Sequence, residues 1–172
     1  MLLPGLFLCA MYNAYYNSPI GLIRIEASDR GLLAVSFLEE GDGPRPGERP
    51  ANDLALAAAA QLEAYFAGNR RQFDLPLCPS GTEFQKKVWE QLVQVPFGKT
   101  DTYSGIAHRL SSPLSVRAVG AANGRNPIAI IIPCHRIIGA DGSLTGYAGG
   151  LWRKEYLLKL EGRGPGVQTR LW

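Results

Sequence analysis

The chain has 172 residues, 46% apolar and 19% charged, with a formal charge of +3, which is long enough for a substantial core in one large domain or two small ones and rules out a disordered or fibrous polymer. Its three cysteines, Cys9, Cys78 and Cys134, are far apart and odd in number, and only His108 and His135 accompany them. This excludes a disulfide framework and a CxxC-type zinc site, so neither metal nor cofactor is expected.

The N-terminal "MLLPGLFLCA" is apolar but lacks a preceding cation and is broken by Pro4-Gly5, so it does not read as a secretory leader. Met11 is a second candidate start. No run reaches the length of a membrane span, and a cytoplasmic location is expected. From Tyr12 onward "NAYYNSPIGLIRIEASDRGLLAVSFLE" places turn residues at Asn17 to Pro19 and at Ser28 to Gly31 between β-rich runs. Leu22, Arg24 and Glu26 alternate with Ile23, Ile25 and Ala27, predicting an antiparallel meander. The Pro- and Gly-rich stretch 39–52 reads as a surface loop. A helix follows from about Asp53 to Ala67, with Leu54, Ala58, Leu62, Tyr65 and Phe66 on one face and Gly68 behind it.

"DLPLCPSG", 74–81, reads as a linker. Before it, residues 1–80 hold 6 Lys and Arg against 9 Asp and Glu; after it, residues 81–172 hold 12 against 6. A basic second half suits an anionic partner, nucleic acid foremost, the plain alternative being a solvated basic surface. The expected division is an N-terminal α+β domain over 1–78, with an extension at 1–11, a mostly helical domain over 79–163, and a frayed tail over 164–172. The second domain opens with a capping box, Thr82 with Gln85, ahead of Phe84, Val88 and Leu92 at helical spacing, and Pro96 and Gly98 close that helix. A short helix over Thr102 to Leu110, a tight break and a second helix from Ser112 with Pro113 at its first position form a helix-turn-helix pattern. On the second helix Val116 and Val119 should pack inward. Arg117, Gly120, Ala121 and Gly124 share a face with one long cation among very small residues. Such a face suits either a DNA groove or close packing on another helix.

"NPIAIIIPCHRIIGADG", 126–142, then sets Cys134, His135 and Arg136 behind the apolar run Ile128 to Ile132. A thiol in apolar surroundings is inert unless something favours its thiolate. His135 is adjacent, although side chains of neighbours in an extended segment diverge, so a water bridge is as good a reading as direct contact. In "GGLWRKEYLLKLEG" Leu151, Glu155 and Leu158 lie at i, i+4 and i+7, placing Glu155 on a buried stripe where a carboxylate needs a partner. His135 is one candidate, giving a Cys, His, Glu relay; Arg153 and Lys159 are the others.

These residues resemble a known family. "IPCHRIIG" at 132–139, with "RAVGAANGRNPIAI" before it, "GYAGGLWRKEYLL" after it and "VPFGKTDTYSGIA" upstream, is similar to the O6-alkylguanine-DNA alkyltransferases. The match is strong over roughly residues 81–162 and weaker over the N-terminal half. It implies a ribonuclease H-like N-terminal domain and a winged-helix-like C-terminal domain whose helix-turn-helix enters the minor groove of double-stranded DNA. The damaged guanine is flipped out and its O6-alkyl group moves irreversibly to a cysteine, once per protein molecule. On this resemblance Cys134 is the acceptor, His135 the base acting through water, and Glu155 its orienting acid. Asn126 holds the site geometry, Tyr103 lies against the flipped base and assists its leaving oxygen, and Arg117 fills the gap in the duplex. Tyr147, Ala148 and Gly149 line the guanine pocket. Ser104, Ala118, Gly120, Ala121, Asn123, Gly124, Arg125 and Arg136 are further expected contacts to substrate or DNA. A monomer is expected, whether or not copies bind DNA cooperatively.

Transfer from an sp3 carbon suits a soft thiolate, and the departing guanine needs a proton or hydrogen bond. The target atom is inaccessible inside a duplex, so extrusion is required. A thioether offers water no leaving group, hence a single turnover. The sequence departs from the family at Gly105, where relatives commonly carry Glu or Gln, which removes a capping-box partner for Thr102 and costs about 1 kcal/mol of helix propensity. "SVRAVG" also replaces the more usual Ala-Ala-Arg run. Two other readings compete. A lesion-binding relative without transfer activity would lack the acceptor cysteine, and a cysteine hydrolase would not need the small-residue helix.

Overall fold

The computed structural model describes residues 10–162. Cys9, the apolar start with its Pro4-Gly5 break, and the tail expected over 164–172 lie outside them. The architecture is α+β: a small antiparallel sheet with one helix, then a mostly helical half. Strands β1 (Tyr12–Ser18), β2 (Gly21–Ala27) and β3 (Leu32–Phe37) form the predicted meander, with Tyr12 opposite Ala27 and Ile25 opposite Val35. The alternation in β2 is realised: Ile23, Ile25 and Ala27 are fully buried, while Arg24 on the other face pairs with Glu26 and Glu48. Helix α1 (Asp53–Phe66) covers the buried face through Ala55, Ala58, Leu62, Tyr65 and Phe66. Asn52 caps its first turn by accepting from the Ala55 amide at 2.9 Å, and Gly68 follows its end in a left-handed conformation. Among the described residues no helix is long and apolar enough to cross a membrane.

In the second half the Thr82–Gln85 capping box starts α2 (Glu83–Val93), whose Trp89 donates its indole N–H to the Ala122 carbonyl of α4 (Val116–Gly124) at 2.9 Å. Strand β4 (Asp101–Thr102) pairs in parallel with β5 (Ile137–Ile138) and leads into α3 (Tyr103–Arg109). Gly105 does not leave that helix uncapped. The Thr102 hydroxyl accepts from the Gly105 amide at 3.0 Å, and the Thr102 amide donates to the Asp101 carboxylate at 2.7 Å. Asp101, also paired with Arg109, thus serves the donor that a capping-box acid at position 105 would serve. A Cβ on Gly105 would clash with an Asp101 carboxylate oxygen, so a glycine there goes with this acid.

The second helix of the pair does not start at Ser112. Pro113–Ser115 form a 3-10 turn, closed by Ser115 N–H to the Ser112 carbonyl at 2.9 Å, and α4 begins only at Val116. Leu114 is 99% exposed, so its side chain adds no packing that would draw the turn into the α-helix. The run Ile128 to Ile132 is interior as expected but folded into turns instead of extended, and Ile130 takes a positive φ of 70°. For a β-branched residue this is a strained conformation, costing of order 1–3 kcal/mol. It is held from both sides. Val35 of β3 exchanges backbone bonds with Pro127 and Ala129, both 2.9 Å, and the Asn126 side chain clamps the turn.

Candidate active site

Cys134, His135 and Arg136 occupy one 3-10 turn that leads into β5, all three buried. Asn126, between α4 and the isoleucine run, donates to the Ile132 carbonyl at 2.8 Å and accepts from the Ile128 amide at 3.0 Å, which fixes the backbone immediately before the cysteine. Burial pushes the Cys134 thiol up from its ordinary value, while a hydrogen bond from Asn126 and the charge of Lys154 pull it back. The resting sulfur is therefore a thiol.

Lys154 is fully buried on α5 (Leu151–Leu160), its ammonium donating to the Ile137 carbonyl at 2.6 Å and the Thr145 carbonyl at 2.8 Å. Burial lowers its pKa to about 8, partly offset by the attraction of Cys134. Neighbouring charges explain the arrangement. Glu161 and Arg136 neutralise each other, so Lys154 is left facing Cys134, and this buried cluster is balanced when the sulfur is ionised.

His135 is oriented by Glu161, not by Glu155. Its Nε2 lies 2.8 Å from Glu161 Oε1, at a carboxylate that also accepts from Tyr65 at 2.7 Å, from Arg136 at 2.9 and 3.0 Å and from the Gly98 amide at 3.1 Å. Burial alone would raise that carboxyl, but the hydrogen bonds from His135 and Arg136 and the Arg136 charge outweigh it and hold it well below the usual range. Burial lowers His135 against the pull of Glu161, so the imidazole rests neutral. With Nε2–H bound to the carboxylate, Nδ1 carries the lone pair; it is buried and has no partner among the described residues. The His135 backbone amide hydrogen-bonds the Cys134 sulfur, but no hydrogen bond joins the sulfur to the imidazole directly.

Glu155 is instead 38% exposed and pairs with Lys159 at 2.9 Å, one turn along. The inward stripe of α5 runs through Lys154, Leu157, Leu158 and on to Glu161 at its cap, whereas Leu151 is 48% exposed. A search for apolar periodicity misses a stripe whose two ends are charged. Spacing from Leu157 by four to Glu161 was the available signal. Arg136 is likewise corrected as a DNA contact: it is 6% exposed, forks onto Glu161 and donates to the Val95 carbonyl at 2.6 Å, so each of its guanidinium nitrogens already has a protein acceptor.

A cleft of about 360 Å³ opens onto Cys134. Asn123, Asn126 and Tyr147 to Gly149 line it from the helical half, and Phe37 and Glu39 from the sheet end. Arg153 ties the walls together, donating to the Ile20 carbonyl at 2.8 Å and the Gly149 carbonyl at 2.9 Å with its guanidinium 4.6 Å from the Phe37 ring centre. Tyr103 does not line the cleft itself; its hydroxyl donates to the Thr145 carbonyl at 3.1 Å, in the loop that leads to Tyr147. Ser104 bonds the Thr102 hydroxyl at 3.0 Å.

Of the α4 residues, Val119 and Ala122 pack inward and Val116 is half-buried. Arg117, Ala118, Ala121, Gly124 and the following Arg125 are exposed, Gly120 is half-buried, and Arg117 has no hydrogen-bond or ion-pair partner among the described residues. The small-residue face is therefore open at Arg117, Ala121 and Gly124, where a Cβ added at Gly124 would meet nothing within 4 Å, and only Gly120 lies against another helix, through Tyr103 of α3.

Residues 83–163 match the family model described as 6-O-methylguanine DNA methyltransferase, DNA binding domain, and residues 11–79 the one described as its ribonuclease-like domain. A methylated-DNA–protein-cysteine methyltransferase of Methanosarcina acetivorans is 52% identical over 157 residues, covering 88% of this chain and 99% of that protein. The crystal structure of Mycobacterium tuberculosis O6-methylguanine methyltransferase is similar with a TM-score of 0.79 at 45% identity, covering 88% of this chain and 92% of that one. A structure of the Mycobacterium tuberculosis protein in complex with DNA gives a TM-score of 0.79 at 42% identity, covering 92% and 98%. With both family models matched in order and about half the residues shared with a full-length relative, this chain belongs to the 6-O-methylguanine DNA methyltransferase family.

Proposed function

We propose that the cleft receives an O6-alkylguanine extruded from duplex DNA and that Cys134 takes its alkyl group. The chain is a direct-reversal repair protein, a methylated-DNA–protein-cysteine S-methyltransferase that acts once. The observation that carries this reading is the buried Cys134 at the floor of a cleft, with Lys154 as its counter-charge and a His135–Glu161 pair behind it. In the reaction the thiol proton passes to His135 Nδ1 through a water molecule. The sulfur forms a bond to the alkyl carbon as the carbon–O6 bond breaks, and the electron pair left on the purine is protonated to give guanine. Thiol and O6-alkylguanine thus become thioether and guanine, with no atom unaccounted for. The imidazolium formed on the way is stabilised by Glu161.

Extrusion exposes a hole in the duplex, at a cost of about a few kcal/mol. Arg117, projecting alone from the open face of α4, reaches into it, while Ala118, Ala121 and Gly124 let the backbone approach the minor groove and Arg125 and Ser104 meet phosphates. Tyr103 bears on the base through the Thr145 loop. We read residues 79–163 as a winged-helix-like acceptor and DNA-binding domain, with residues 1–78 as a ribonuclease H-like brace; the bonds from Val35 to the turn before Cys134 support that role. The molecule acts as a monomer.

Duplex DNA carrying labelled O6-methylguanine tests the reading. Label should move to protein in proportion to the protein added, and Cys134→Ala should stop it. Binding without transfer would mark a lesion-binding protein, and continuous release of a small labelled product would mark a hydrolase.

A further inference from the structure

Glu161 takes a donor from the other half of the molecule. Tyr65, near the end of α1, is 1% exposed and donates its hydroxyl to Glu161 Oε1 at 2.7 Å, from 96 residues earlier in the chain. That is the oxygen His135 Nε2 uses at 2.8 Å, and Arg136 Nη2 reaches it at 3.0 Å. Oε2 is held separately, by Arg136 Nε at 2.9 Å and the Gly98 amide at 3.1 Å. The carboxylate is thus paired and fixed without Tyr65. The ring does not require the hydroxyl either. It lies 5.4 Å, centre to centre, from both Phe66 and Phe73 and 6.1 Å from Phe97, where a phenylalanine would pack as well. What the hydroxyl changes is the charge left on Oε1 for His135. A hydrogen bond to the charged form of a carboxylate lowers its proton affinity, and the imidazole bonded to it becomes a weaker base. Burial and the adjacent carboxylate push the phenol well above its ordinary value, so Tyr65 stays a donor at any pH at which the protein works.

We propose that Tyr65 is a positioning residue of the reaction, through which the N-terminal half sets the strength of the base that serves Cys134: its hydroxyl takes up charge on the Glu161 oxygen that holds His135. This rests on His135 being that base. The titratable and charged groups that face His135 are Glu161 and Lys154 of α5, Cys134 and Arg136 of its own turn and, through the shared oxygen, Tyr65 of α1. Burial, Arg136 and Lys154 lower the imidazole's pKa, and Glu161 raises it. Without the Tyr65 hydroxyl the pull of Glu161 grows, so His135 titrates at higher pH. Below that pH the ring is protonated and cannot take the thiol proton, so the acid limb of the transfer rate moves up with it.

The test is the pH–rate profile of single-turnover transfer from free O6-benzylguanine, which leaves DNA binding out, in the full chain and in Tyr65→Phe. The acid limb should lie at higher pH in Tyr65→Phe, the rate on that limb falling about tenfold for each unit of displacement. The fraction of molecules that accept a benzyl group should stay the same. Replacing Tyr65 with 3-fluorotyrosine, a stronger donor of nearly the same shape, should move the limb to lower pH, and this arm stands even if Tyr65→Phe fails to fold. An acid limb that is absent, lies at the same pH in all the proteins or moves the same way in both variants overturns the assignment, as does a loss of accepting molecules with the limb unmoved, which marks Tyr65 as a packing residue. Absence of transfer in the unaltered protein overturns the underlying reading instead.

Discussion

The two sides of the Cys134 turn are built on opposite principles. Behind it, Glu161 accepts from four residues and each guanidinium nitrogen of Arg136 donates to a protein acceptor, so the groups of this network are occupied with one another. In front of it, among the residues that line the cleft, Asn123 and Tyr147 each keep a polar atom without a partner among the described residues, as does His135 at Nδ1 next in sequence to the nucleophile. Buried polar atoms without partners cost stability, typically about 1–3 kcal/mol each. Stability therefore lies on one side and chemistry on the other, with His135 and Lys154 linking them.

Breaking the closed side should have the largest effect. Glu161→Gln leaves the Arg136 cation buried with its main partner weakened and should cost roughly 3–5 kcal/mol in chemical denaturation, with transfer slowed in whatever protein remains folded. A stable Glu161→Gln protein with normal transfer would dissolve the distinction. Lys154→Met sharpens it from the other direction. Lys154 lowers the thiol, so its removal raises the thiol's pKa. Transfer should drop at neutral pH by roughly tenfold per unit of that rise, and the rising limb of the pH–rate profile should move to higher pH, partly restoring the rate there. A uniform loss at every pH would make Lys154 a packing residue. Arg117→Ala lies outside both sides. It should slow repair of duplex DNA by roughly tenfold or more while changing reaction with free O6-benzylguanine by less than about twofold, since only the duplex requires extrusion. Smallest of all, Glu155→Gln should change stability by less than about 0.5 kcal/mol and leave the transfer rate alone, because its partner is an exposed lysine one turn away.

What the sequence made legible follows the same line. Period-two alternation in β2, the glycine behind α1 at Gly68, the cap at Thr82 and the inward Val119 were readable because each depends on neighbours a few residues away. The PCHR context pointed to Cys134 for the same reason. Glu161 was hidden because its partners come from α1, the turn at Gly98 and the Cys134 turn, and because Lys154 and Glu161 interrupt an apolar stripe with charge. Arg136 looked like a contact to substrate or DNA since nothing local shows that its fork is already filled. The turns of Ile128 to Ile132 depend on bonds from β3, about 90 residues earlier in the chain. Local spacing cannot encode those.

The most direct measurement of the central claim is a peptide map of the protein after exposure to excess duplex O6-methylguanine. One methyl group per chain, carried by Cys134 with Cys9 and Cys78 unmodified and no further gain over time, is the predicted result. Methyl on Cys78, or more guanine restored than protein present, would contradict it.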